Sequence, residues 1–243
     1  DLWLKDNSNT DLTIHGGKAI STFYQCGEAY TLDPLSLETL GTLDLLSGGG
    51  RQMSAHCMTD EQSGDLLFFD YATKPPYMTY GVFDKDANLV HHTAIDLPGA
   101  RLPHTLAFTT NYSILMDLPM FWDPELLQKD VHKVSFYPDK ASRFGLITRF
   151  GQGDSIKWFE ADPCYIYHAV NSWEEGDVVI LDVCRMSTPV PSEAKKLKLA
   201  GPYGSMLAWL KLDASYHRYR FNLVSGETKE ESLSDLLSEF PVI

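Results

Sequence analysis

Met53-Ser54-Ala55-His56-Cys57-Met58, then Thr59-Asp60-Glu61-Gln62-Ser63-Gly64, then Leu66-Leu67-Phe68-Phe69-Asp70-Tyr71 is a short apolar run, a cluster of turn residues and a second apolar run. The unit reads as a hairpin: the runs are strand-sized, and Asp, Ser and Gly provide the local side-chain bonds and the positive φ that reverse a chain. Moving outward, the same arrangement recurs. Asp84-Lys85-Asp86-Ala87-Asn88 parts Tyr77–Phe83 from Leu89–Ile95, and Thr109-Thr110-Asn111 parts His104–Phe108 from Tyr112–Met116. Pro138–Ser142 follows Lys133–Tyr137, Ser172–Asp177 divides Cys164–Val170 from Val178–Cys184, and Asp213-Ala214-Ser215 divides Met206–Leu212 from Tyr216–Leu223. Antiparallel pairs succeeding one another at this spacing predict an all-β sandwich, barrel or propeller. Helical spacing is expected at Pro124–Asp130 and at Glu230–Ser238, whose leucines stand at 233, 236 and 237, and Pro189–Pro202 reads as a long loop. With no boundary signal, residues 1–243 are expected to be a single domain.

Charge narrows the partners. Thirty-three acidic against 20 basic residues leave a formal charge of −13, with no Lys/Arg-rich run as a local exception, so nucleic acid is disfavoured. No apolar run nears the roughly 18 residues that cross a bilayer, and the opening segment has no secretory pattern. Cys26, Cys57, Cys164 and Cys184 lie far apart with no CxxC pair, which reads as reduced thiols in a cytoplasmic protein.

Three of the eight histidines, His56, His104 and His168, stand in apolar words next to hairpins, 48 and 64 residues apart. That placement suits one ligand from each of several successive β units, and neutral imidazoles suit iron, copper or zinc. Taken singly, each is more often a packed, hydrogen-bonded histidine than a ligand.

The words around these histidines resemble the carotenoid cleavage oxygenase family. The matching order is Gly16-Gly17-Lys18, then Leu32-Asp33-Pro34-Leu35-Ser36-Leu37-Glu38-Thr39-Leu40-Gly41, Ser54-Ala55-His56, Ser63-Gly64-Asp65, His104, Thr110-Asn111-Tyr112, Phe150-Gly151-Gln152-Gly153-Asp154 and His168-Ala169-Val170-Asn171-Ser172-Trp173-Glu174. The resemblance implies a seven-bladed β-propeller, of which this chain covers only part, with a non-haem Fe(II) held on the axis by four histidines. His56, His104 and His168 match the first three. The fourth belongs to a C-terminal His-Gly word absent from this sequence, so a fragment is expected, with the missing segments of the same protein required. His217, His91 and His92 match no ligand and read as strand or surface residues.

The resemblance further implies carboxylates behind the ligand imidazoles. Glu239 matches one, whereas Gln25 stands where another glutamate is usual and offers a carbonyl without charge. Stilbene-cleaving members place a lysine just before that glutamate. Here the residue is Tyr24, which can reach a substrate oxygen with one hydrogen bond but carries no cation. Phe121, Trp122, Trp158 and Phe159 suit either an apolar tunnel or a core, and Glu174 and Glu175 read as turn residues. The implied activity is Fe(II)-dependent cleavage by O2 of an alkene C=C bond in a carotenoid, apocarotenoid or stilbene/phenylpropene, with peripheral membrane contact only for access to an apolar substrate. The other readings are a non-catalytic propeller-type binding or scaffold module and a three-histidine zinc hydrolase.

Overall fold

Gly16 and Gly17 turn the chain with φ of +55° and +72°, joining β1 (Asp11–His15) to β2 (Lys18–Thr22) with His15 paired to Lys18. A two-residue loop with positive φ at both positions matches the twist of the strands it connects, and glycine adopts it without a Cβ penalty. The computed structural model describes residues 7–24, 26–43, 53–131, 133–189 and 213–241. The chain forms two compact units, residues 1–114 with 147–157 and residues 115–146 with 158–243.

The first unit contains two up-and-down sheets. One has the order β1-β2-β3-β4, with β3 Tyr30–Leu32 and β4 Thr39–Thr42; the other is β5-β6-β7-β8, formed by Met58–Thr59, Leu66–Tyr71, Met78–Phe83 and Leu89–Ile95. The two central strands of the second sheet are buried along their whole length, which explains why they read as continuous apolar runs rather than alternating ones. Leu66, Phe68 and Phe83 pack with Ile20, Ala29, Met53 and Cys57 in one cluster. A Cβ at Gly81 would stand 2.9 Å from the His91 carbonyl oxygen and inside the Phe68 ring, so the position is closed to any larger residue. Arg149 binds the β5–β6 turn through Asp60 Oδ2 at 2.5 Å and donates to the Thr109 carbonyl at 3.0 Å.

A third sheet has the order β14-β13-β10-β9, with β9 Ala107–Phe108, β10 Tyr112–Asp117, β13 Ser142–Thr148 and β14 Lys157–Ala161. Between β10 and β13 the chain makes a small pair, β11 (Met120–Trp122) with β12 (Val134–Phe136), around a one-turn helix α1 (Pro124–Leu127). Asp123 caps that helix by accepting the amides of Glu125 and Leu126, the arrangement expected of Asp before Pro at a helix start.

The second unit holds the largest sheet, β15-β16-β17-β18, formed by Tyr165–Glu175, Val178–Met186, Ser215–Asn222 and Thr228–Leu237. Phe144, Phe159, Tyr219 and Phe221 form its aromatic core, with centroid spacings of 4.6 to 5.3 Å from Phe144 to Tyr219 and between the phenylalanines in contact. Asp182 is buried in this sheet, where it accepts two bonds from Arg218 at 2.7 and 2.8 Å and one from the Tyr216 hydroxyl at 2.5 Å.

Four expectations change. Glu230–Ser238 is not helical: its residues pair along β17 as far as Leu237. Leu236 and Leu237 are 76% and 70% exposed, so no buried face rewards a helix, while the neighbouring strand offers a ladder of backbone bonds. Met53–Met58 is not a strand before Met58, because His56 takes φ of +57° and breaks the extended run. His104 likewise precedes its strand, which begins at Ala107. Glu174 and Glu175 are the last residues of β15, not its turn. Met206–Leu212 and most of Pro189–Pro202 lie outside the described residues.

Candidate metal centre

His56 and His104, both half-buried in the first unit, face each other with Nε2 atoms 3.1 Å apart and ring centroids 4.8 Å apart. Two ring nitrogens at that distance are either donor and acceptor or two lone pairs sharing a cation. The distance is also what two nitrogens adopt when each lies about 2.1 Å from one ion at roughly a right angle. The segment carrying His56 is fixed at several points. Ser54 donates its amide to the Phe69 carbonyl at 2.9 Å and its hydroxyl to the Tyr24 carbonyl at 3.2 Å, the Cys57 thiol donates to the Ser54 carbonyl at 3.1 Å, and the His56 amide donates to Asp11 Oδ2 at 3.1 Å.

Tyr24 is held against the same group. Its carbonyl also accepts the Tyr71 hydroxyl, and its ring centroid lies 5.7 Å from that of His104. Gln25, its neighbour, lies outside the described residues.

His168 belongs to the second unit. It sits in an irregular stretch of β15, where register shifts fall between Ile166 and Ala169 and between Ala169 and Asn171. Bulges of this kind re-aim a side chain that regular alternation would send elsewhere. His168 Nδ1 lies 2.6 Å from Glu239 Oε2. Phe240, at φ +51°, returns its amide to the same oxygen at 2.9 Å and packs its ring, tilted, with its centroid 4.5 Å from that of the imidazole. A carboxylate at that distance holds the proton on Nδ1, which leaves the Nε2 lone pair available. An Nε2 lone pair presented in this way suits a metal that takes neutral imidazoles.

The other candidate residues are engaged in the sheets. His91 Nε2 lies 3.0 Å from the Gly151 carbonyl and His92 Nε2 3.0 Å from Thr79 Oγ1, and His217 faces Glu230 at 3.5 Å. Phe121 stacks on Tyr137 at 4.3 Å and Phe159 packs on Phe221, both buried in the core, and half-buried Trp158 lies under the Arg143 guanidinium at 4.6 Å. Trp122 closes the β11–β12 pair opposite Val134. Trp173 donates to Glu175 at 2.9 Å. Nothing local in the sequence marks Asp11, which reaches His56 only through the fold.

Comparison with known proteins matches the chain over its whole length. The family model described as "Retinal pigment epithelial membrane protein" matches residues 1–243, and the chain belongs to that family, the carotenoid oxygenases. Among curated relatives, a carotenoid 9,10(9',10')-cleavage dioxygenase of Crocus sativus is 34% identical over 97% of this chain and 42% of its own length. An isoeugenol monooxygenase of Pseudomonas nitroreducens is 30% identical over 97% of this chain and 49% of its own. Among solved structures, the lignostilbene dioxygenase of Pseudomonas brassicacearum has a TM-score of 0.79 at 23% identity, covering 96% of this chain and 49% of that one. The cobalt-substituted apocarotenoid oxygenase of Synechocystis has a TM-score of 0.79 at 21% identity, covering 99% and 51%. The fold is therefore part of the family's β-propeller, and the chain spans about half the length of the curated relatives it matches. Among the described residues, no helix is long and apolar enough to cross a membrane.

Proposed function

We propose that this protein is a non-haem Fe(II)-dependent oxygenase that cleaves an alkene C=C bond of a carotenoid, apocarotenoid or stilbene/phenylpropene with O2, giving two carbonyl products. The observation that carries the reading is the approach of His56 and His104 through their Nε2 atoms at 3.1 Å, in a chain whose family includes dioxygenases acting on such alkenes. His168 is the third ligand of the same ion in this reading. Residues 1–243 then form a single domain, a partial propeller, and a fourth histidine comes from segments that the longer relatives possess.

Iron, when bound, supplies the electrons that let O2 react with an alkene. The chain's own residues do the rest. The imidazoles stay neutral, Glu239 keeps the His168 proton on Nδ1, and Gln25 acts similarly but without charge. Tyr24, packed beside His104, contacts the substrate in this reading. No side chain has to give or take a proton in the cleavage. The compartment that fits the free thiols is the cytoplasm.

Metal analysis of the purified protein tests the reading, with iron expected in preference to zinc. His56→Ala, His104→Ala and His168→Ala should each abolish stoichiometric iron, whereas His217→Ala should retain it. Product aldehydes from apocarotenoid and 4-hydroxystilbene substrates, detected by mass, identify the reaction. Full iron content in His104→Ala would overturn the assignment, and zinc with hydrolysis or no metal at all would favour a hydrolase or a binding module instead.

A further inference from the structure

We infer that Asp11 is a positioning residue for His56, holding the histidine both by its backbone and by charge beside its ring. The inference rests on the reading of His56 as a metal ligand. Asp11 opens β1, 45 residues before His56. Its Oδ1 accepts the Leu12 amide at 2.9 Å, which orients the carboxylate and turns Oδ2 toward His56. Oδ2 then accepts the His56 amide at 3.1 Å.

That bond matters because His56 has φ of +57°, a left-handed conformation that is unfavourable for an L-residue. A charged acceptor on the amide offsets part of this cost, and the bend aims the ring at His104. The same Oδ2 lies 3.8 Å from His56 Nδ1, with the two side chains 27% and 17% exposed. This is too long for a hydrogen bond, but the pair is buried enough for the negative charge to favour the proton on Nδ1 and leave Nε2 unprotonated. Without a metal, the 3.1 Å contact between Nε2 atoms then requires His104 to carry its proton on Nε2. Asp11 thus serves His56 through the backbone amide and by charge 3.8 Å from the ring, where Glu239 meets the His168 ring directly at 2.6 Å.

Asp11→Asn separates the two effects, since the amide oxygen still accepts the His56 N–H while the charge is gone; Asp11→Ala removes both. Cobalt(II) affinity by chelator competition should fall about 10-fold in Asp11→Asn, and further in Asp11→Ala, on the scale seen for outer partners of metal-ligating histidines. Asp86→Asn, at an exposed turn, should leave it unchanged. Ring nitrogen shifts in the metal-free protein should show His56 mainly as the Nδ1–H tautomer in the parent and moving toward Nε2–H in Asp11→Asn. A folded Asp11→Asn protein with an unchanged tautomer overturns the inference, whatever its affinity. If the parent binds no metal, the reading of a metal site fails, and the tautomer comparison still decides whether Asp11 directs the ring.

Discussion

Glu239 holds His168 with a carboxylate oxygen 2.6 Å from Nδ1, and both side chains are largely withdrawn from solvent, at 14% and 12% exposed. The contact joins a bulged strand to the segment after β18, 71 residues later. A charge-assisted bond of this length fixes the tautomer, the tilt of the ring and the electron density on the opposite nitrogen together.

Glu239→Gln keeps an acceptor and loses the charge, so iron retention during chelator challenge should fall about 10-fold, and Glu239→Ala should approach about 100-fold. Gln25→Glu should be tolerated or should tighten retention. Retention by Glu239→Gln equal to the parent would remove Glu239 from the role.

The Asp182–Arg218 pair predicts a stability cost. The Asp182 side chain is 2% exposed, so Arg218→Met leaves a buried carboxylate with only the Tyr216 hydroxyl, and should destabilise by about 3–5 kcal/mol. The double variant Asp182→Asn/Arg218→Met should cost less than Arg218→Met alone, because the uncompensated charge is gone. Urea denaturation at neutral pH measures both.

Asp60 supplies a pH-dependent term. Burial alone would raise its pKa, but hydrogen bonds from Arg149, the Gln62 amide and Ser63, with the Arg149 charge, hold it below the ordinary carboxylate value. A carboxyl depressed in the folded state stabilises fully above its unfolded pKa of about 3.9, and the contribution is lost as pH falls through the folded value. Asp60→Asn should therefore cost about 2 kcal/mol at pH 7, with the gap from the parent closing below about pH 4. A gap that widens in acid would refute the sign.

Thiol reactivity should be low in the folded protein. Burial raises the Cys57 and Cys164 thiols, and burial with the nearby Glu239 charge pushes Cys184 up to about 11. A thiol reagent at pH 8 should modify no more than Cys26 before unfolding, and all four cysteines after it. Rapid reaction of two or more would show that the sheets open readily.

What could be read from the sequence follows how local each determinant is. β6 and β7 were legible because their apolar runs and the Asp60–Gly64 and Asp84–Asn88 turns lie side by side in the chain. The pairing of β15 with β16 was legible for the same reason, although β15 runs on through Glu175 where the sequence suggested a turn. His56 was legible as a residue type but not as a conformation, since its left-handed bend is supported by Asp11 from another strand. The leucines at 233, 236 and 237 suggested a helix because spacing carries no information about a neighbouring strand, and β17 decided the matter. Phe121 and Phe159 suited two surroundings equally from sequence, and only their packing on Tyr137 and Phe221 distinguishes them.

The shifts of register around Ala169 also set a phase. Along a regular strand, adding or removing one residue turns every later side chain to the opposite face. In β15 that phase is already displaced on both sides of Ala169, close to where His168 meets Glu239. The segment from Ile166 to Asn171 should therefore accept changes of residue more readily than changes of length. A single deletion there would leave the composition of the strand nearly unaltered while turning the imidazole away from its carboxylate, so spacing here is as much a determinant of the His168–Glu239 contact as the histidine itself.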